Sequence, residues 1–401
     1  MKKKISILLF AVLLTGSLNG QTTLDVILKA KALNEKGNPD QAISLVSAAI
    51  VSSNDSKLLL VRAESELLTG DYSRAIADYN SANDLAPLSG EYGLSRIYAL
   101  KGDAATSVYH LEKSLGSSYR KTEKEVMLDP AFGPVENRAE WRQFWKKDWY
   151  SNSEKVVSEI EYDVTAGRID ESEVALKEIK SSYPESDDIK YAEAVVRLAE
   201  KRYPEALASA AILAESSPGS EKYLKLLAKA QEFSANPAGA SNSYTRLLDL
   251  EVADALLFLQ RADCYRKTGE TGKAIGDIEK YLSFYPDDKA AISLAGKIES
   301  ATGDNLKAIE YYSRNLKLHP GDPECYIDRA NSYFISRSWD WAAKDYSMSL
   351  DLKPGNSEIW LNKGIALLNS GKADDACHDF RKAMSLGNKK ASEYISRSCI
   401  K

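Results

Sequence analysis

His110, His319 and His378 are the only histidines in the 401-residue sequence, and they lie far apart. Cys377 and His378 adjoin, but no second pair of ligands follows at the spacing a zinc site requires. There is no His-Glu-x-x-His helix, no Gly-x-Ser-x-Gly turn and no glycine loop closing on Lys-Ser or Lys-Thr. Gly269-Glu270-Thr271-Gly272-Lys273-Ala274 has the composition of a phosphate loop without its spacing. The acidic pairs Asp287-Asp288 and Asp374-Asp375 fall at turns and helix starts, where carboxylates cap backbone N–H groups. The residues therefore offer no catalytic constellation, no metal site and no cofactor site, and the expectation is a protein that is not an enzyme.

Binding chemistry has better candidates. Trp141, Trp145 and Trp149 recur at i, i+4 and i+8, with Phe144 beside them, which predicts a helix over 139–150 with an aromatic face. Such a stripe is either packed as core or exposed as a patch for a carbohydrate, an envelope polymer or a protein. A net charge of −5 argues against nucleic acid and against anionic membrane surfaces.

The elements that must position these residues follow a repeat. Ala206, Ala240, Ala274, Ala308, Ala342 and Ala376 return every 34 residues. Twelve positions before each stands another small residue: Ala194, Ala228, Ala262, Gly296, Ala330 and Gly364. Four positions after come Ala210, Tyr244, Ile278, Tyr312, Tyr346 and Phe380. Pro218, Pro286, Pro320 and Pro354 close four of the six units. This pattern resembles the tetratricopeptide repeat (TPR), a helix-turn-helix unit. The resemblance implies an all-α solenoid. Each unit has a helix A carrying a small residue at position 8 and a helix B carrying alanine at position 20. Two antiparallel helices approach closely where neither carries a large side chain, and the aromatic at position 24 is expected to fill the gap to the next unit. One hairpin cannot bury its apolar face alone, so stability comes from stacking.

Residues 23–118 carry three looser repeats, and 153–186 a degenerate one with Ile160 and Ser172 at the two small positions. The register breaks between them at the turn-rich stretch around Asp129-Pro130. The expected organisation is a signal peptide over 1–20, an N-terminal TPR stack over 21–118, an aromatic-rich insert over 119–152, a C-terminal stack over 153–390 and a cap helix over 391–401: about ten hairpins in two stacks.

In TPR proteins helix A lines the concave groove, and in families that clamp a peptide C-terminus asparagines at positions 6 and 9 hold the peptide backbone. The resemblance implies a protein or peptide partner in that groove. By this register Lys297, Asp328, Asn331 and Asn362 face it in the eighth to tenth units, and Lys222, Lys225 and Lys229 in the sixth. Ile327 stands where the clamp families have a lysine, so their carboxylate-holding set is absent. Stacking also limits the cysteines. Cys264 and Cys325 are two repeat steps apart, too far for a bond, whereas Cys377 on the last helix B and Cys399 on the cap lie on neighbouring helices. The expectation is a Cys377–Cys399 disulfide with Cys264 and Cys325 as buried thiols.

The chain begins with three lysines and an apolar run from Ile5 to Leu14, too short for a membrane span of about 20 residues. It reads as a secretory leader removed near Gln21, which makes the protein exported, periplasmic or extracellular. The expected scaffold of the bacterial envelope has no transmembrane segment once the leader is removed. N-terminal sequencing of the protein from its native compartment should start at or close to Gln21; an intact Met1 with membrane retention would contradict the leader.

Overall fold

The computed structural model describes residues 22–183 and 186–399. The expected leader over 1–20 and the closing proline Pro184 of the fourth hairpin lie outside them. Contacts divide the chain into two compact units, with the boundary between Trp149 and Tyr150. Among the described residues the secondary structure is helical throughout.

The first unit contains three hairpins: α1 (Thr23–Glu35) with α2 (Pro39–Ile50), α3 (Ser56–Thr69) with α4 (Tyr72–Leu85), and α5 (Glu91–Leu100) with α6 (Ala104–Leu115). Short pieces follow, α7 (Glu123–Met127), a 3₁₀ turn (Pro130–Phe132) and α8 (Ala139–Phe144). The second unit opens with α9 (Asn152–Thr165) and α10 (Ile169–Ser182), then α11 (Asp187–Ala199) and α12 (Tyr203–Ser216), and α13 (Glu221–Phe233) and α14 (Pro237–Asp249). It continues with α15 (Leu256–Thr268) and α16 (Thr271–Phe284), α17 (Lys289–Thr302) and α18 (Asn305–Leu318), α19 (Pro323–Ile335) and α20 (Trp339–Leu352), and α21 (Ser357–Asn369) and α22 (Ala373–Ser385). The helix α23 (Ala391–Ser398) ends it.

The small residues sit where two helices touch. All six position-20 alanines of the second unit are 0% exposed. A Cβ added to Gly364 would come within 3.3 Å of the Ala376 carbonyl oxygen, which measures how closely α21 and α22 approach. The third hairpin replaces the pair with serines, and Ser95 Oγ donates to the Ser107 carbonyl at 2.8 Å, so the polar atoms of this close contact are satisfied. The aromatic at position 24 also works within its own hairpin. A Cβ on Gly296 would fall 2.5 Å from the Tyr312 ring, and one on Gly364 2.6 Å from the Phe380 ring. Those glycines leave room for a ring lying flat across the helix pair, a role beyond the expected filling of the gap to the next unit.

A recurrent ion pair ties the second, seventh and ninth hairpins each to its predecessor. Arg62 donates to Asp78 through Nε and a terminal nitrogen (2.6 and 2.8 Å) and to Ser47 Oγ of the preceding hairpin (3.1 Å). Arg261 repeats this with Asp277 and Thr245, and Arg329 with Asp345 and Ser313. The bidentate pairs lie between helices A and B, and the third bond crosses to the previous helix B, so one side chain fixes three helices.

At the cap, Ala391 is fully buried and the Tyr394 ring stacks on Phe380 with centroids 5.0 Å apart. Cys377 and Cys399 form a disulfide with Cα atoms 5.6 Å apart, and Cys264 and Cys325 are buried free thiols. Burial, reinforced by the Glu232 carboxylate, pushes the Cys264 thiol up to about 12, so it stays protonated.

The turn between helices A and B needs a left-handed residue. Gly269, Gly303 and Gly371 supply it with φ of 81°, 90° and 83°, but Lys201, Ala235 and Arg337 occupy the same register position with φ of 62°, 54° and 59°. A side chain there costs about 1 kcal/mol or more relative to glycine. Arg337→Gly should therefore raise stability by about 1 kcal/mol in urea unfolding, against the usual effect of glycine; an unchanged or lower stability would contradict it.

Candidate peptide-binding face

Helix A of one hairpin touches helix A of the next, as α1 does α3, α9 does α11, α15 does α17 and α17 does α19; no two successive B helices make comparable contact among the described residues. The A helices thus line the tighter side of each stack, and residues on their free face are presented in a row.

The four groove candidates are not equivalent on this face. Lys297 on α17 is exposed, and its ammonium has no internal partner. Asp328 on α19 accepts from Ser293 Oγ of α17 at 2.6 Å, so it is partly committed to holding the eighth and ninth hairpins together. Its charge, after burial, helps keep the Tyr312 phenol un-ionised. Asn331 is exposed on α19, yet its Oδ1 accepts from the buried Tyr346 hydroxyl at 2.7 Å. Only its amide N–H groups remain for a ligand. Asn362 on α21 is half-buried and makes no side-chain hydrogen bond, so it keeps both donor and acceptor. The packing of α17 against α19 brings Lys297, Asp328 and Asn331 onto adjoining helices, whereas α21 packs on α20 and α22. Of the sixth-unit lysines, Lys225 pairs with Asp254 (3.0 Å) and Glu221 (2.9 Å), and Lys222 lies 3.7 Å over the Tyr191 ring, which leaves Lys229 unengaged.

The aromatic insert differs from its expected form. The helix stops at Phe144 instead of reaching residue 150; Trp149 turns back and donates its indole N–H to the Phe144 carbonyl at 2.9 Å, which also accepts the Lys147 N–H of a tight turn. Trp149 then stacks on Phe144 at 4.8 Å from irregular chain. Trp141 and Phe144 are buried against Phe132 and each other. Trp145 meets both edge-on, at 5.8 and 5.0 Å. The expected patch therefore keeps only the half-buried Trp145 and Trp149 near the surface. Lys147 pairs with Glu112 of α6 at 2.6 Å and lies over Trp149, which fastens the insert to the first unit.

Sequence reasoning missed the Asn331–Tyr346 bond. Its signal was available: positions 9 and 24 are also joined in the second hairpin, where the Tyr79 hydroxyl donates to Glu64 at 2.5 Å. Among the described residues no group of three or more His, Cys, Asp or Glu side chains is arranged to hold a metal ion. No helix among them is long and apolar enough to cross a membrane.

Residues 27–89 and 357–389 each match the tetratricopeptide repeat family. The C-terminal part of a TPR repeat-containing protein from Cytophaga hutchinsonii superposes with a TM-score of 0.50 at 15% identity, covering 60% of this chain and 99% of its own. A tetratricopeptide repeat protein from Parabacteroides merdae gives 0.46 at 19% identity, covering 62% and 99%. MamA gives 0.38 at 21% identity, covering 41% and 97%. No curated protein matches the chain. The chain carries tetratricopeptide repeats over residues 27–89 and 357–389, and each of its two units is an all-α stack of helical hairpins of the kind found in TPR solenoids.

The different states of the two asparagines make a prediction. Asn331→Ala leaves the buried Tyr346 hydroxyl without its acceptor and should cost about 1–2 kcal/mol in unfolding experiments. Asn362→Ala, which breaks no bond, should cost less than about 0.5 kcal/mol. Equal costs would contradict the assignment.

Proposed function

We propose that this protein is an exported, non-enzymatic scaffold of the bacterial envelope, which binds peptide or helical segments of partner proteins along the helix-A face of the eighth to tenth hairpins. The observation that carries this reading is Asn362: a half-buried amide on α21, a helix A, with no internal partner and with both donor and acceptor available. Lys297 supplies an unpaired cation, and the N–H groups of Asn331 a second donor, on neighbouring helix-A positions. Such groups match the alternating carbonyls and N–H groups of an extended peptide without demanding particular side chains. The rigid spacing of the A helices lowers the ordering cost on the protein side.

Export is supported by the lysine-led apolar start of the sequence and by a disulfide at the cap, a bond that persists in oxidising compartments. The carbohydrate reading of the insert retains only Trp145 and Trp149, since Trp141 and Phe144 serve the core.

A pull-down from envelope extract separates the two readings. Lys297→Glu with Asn362→Ala should remove the partner captured by the unaltered protein, while Trp145→Ala with Trp149→Ala should leave it bound. The opposite pattern would assign binding to the insert.

A further inference from the structure

The second unit closes its last hairpin with α23, an amphipathic helix that stacks Tyr394 on Phe380 and buries Ala391. Within the unit, its first hairpin packs one face on α11 and has no neighbouring hairpin of the same unit on the other. Val157, Ile160 and Leu176 of α9 and α10 pack against Ile189, Ala192 and Val196 of α11. On the other side, α9 and α10 border an open groove of about 660 Å³. Its apolar lining includes Val156 and Ile179, which also border the cluster packed on α11, and Val174, which is 58% exposed. Glu159, Glu171 and Glu178 are exposed along its rim, and no cation among the described residues pairs with them. The groove runs along α9 from Asn152 to Asp163, about 17 Å or three helical turns.

We propose that this groove receives an amphipathic helix of a partner protein, about three turns long, with an apolar stripe flanked by lysine or arginine. The apolar lining gives such a helix a place to bury its stripe, as α23 does at the other end of the unit. The acidic rim selects basic flanks and sets the register. A second copy of the chain is the wrong occupant, because a two-fold contact through this face would set one acidic rim against another. The surface is separate from the helix-A face of the eighth to tenth hairpins and takes a partner of different chemistry.

The test uses the full chain and two synthetic fourteen-residue helices with the same leucine stripe, one flanked by lysines and one by glutamates, followed by fluorescence anisotropy. The lysine peptide should bind and the glutamate peptide should not, with affinity falling as salt rises. Glu171→Lys with Glu178→Lys should weaken the lysine peptide by about tenfold or more and admit the glutamate peptide. Val174→Asp should weaken binding, and Asn362→Ala should leave it unchanged, which keeps this proposal separable from the helix-A reading. All the groove substitutions are at exposed positions, and a helical circular dichroism spectrum with an unchanged melt confirms folding. No binding of the lysine peptide, or binding indifferent to the charge reversal, overturns the proposal. So does a self-association that Val174→Asp abolishes.

Discussion

Everything else in the stack depends on how closely helix A can lie against helix B. An alanine at position 20 with no exposed surface, facing alanine or glycine at position 8, brings the two backbones within reach of each other's side chains. That closeness lets Tyr312 and Phe380 lie flat over glycines, and it holds Arg261 and Arg329 where each can grip its own helix B and the previous one. A buried carboxylate is costly to strand, and Asp277 and Asp345 are buried, so the ion pairs enforce the register that the alanines permit. The helix-A face is the product of both: side chains on α17 and α19 stand at fixed separations because their hairpins cannot slide.

The fold was legible wherever a backbone requirement repeats. Position 20 holds a small residue in every hairpin, alanine in eight and serine in the third and fourth, and a tight contact recurring in sequence recurs in space, so six hairpins could be read from Ala206 to Ala376. Glycine at the turn is a weaker guide, because Lys201, Ala235 and Arg337 adopt the same left-handed conformation at modest cost. The insert was the least legible part. Three tryptophans at helical spacing describe a helix, but Trp149 reaches Phe144 by folding back, and a ring can satisfy the same partner from either geometry. Spacing shows which residues meet more reliably than it shows the path of the chain between them.

The candidate face was legible in position and not in state. The register placed Asp328, Asn331 and Asn362 on helix A, but a helix wheel does not show which polar atoms already have partners. Asn331 serves Tyr346 and Asp328 serves Ser293, both through contacts between elements distant in sequence. The groove on α9 and α10 was hidden for a related reason: its residues look like the solvated face of a degenerate repeat until the packing of α11 shows which face is left over.

The central claim, that helix-pair clearance sets the geometry, is tested most directly by a double-mutant cycle on Gly296 and Tyr312. Alanine normally stabilises a helix relative to glycine by about 1 kcal/mol. Here the added Cβ would fall 2.5 Å from the buried Tyr312 ring, so Gly296→Ala should instead destabilise by about 1–3 kcal/mol. Tyr312→Ile restores the combination of the seventh unit, Ala262 with Ile278. In that background Gly296→Ala should be neutral or stabilising, a coupling of at least about 1 kcal/mol. If the two substitutions add without coupling, helix clearance at this position does not govern the packing.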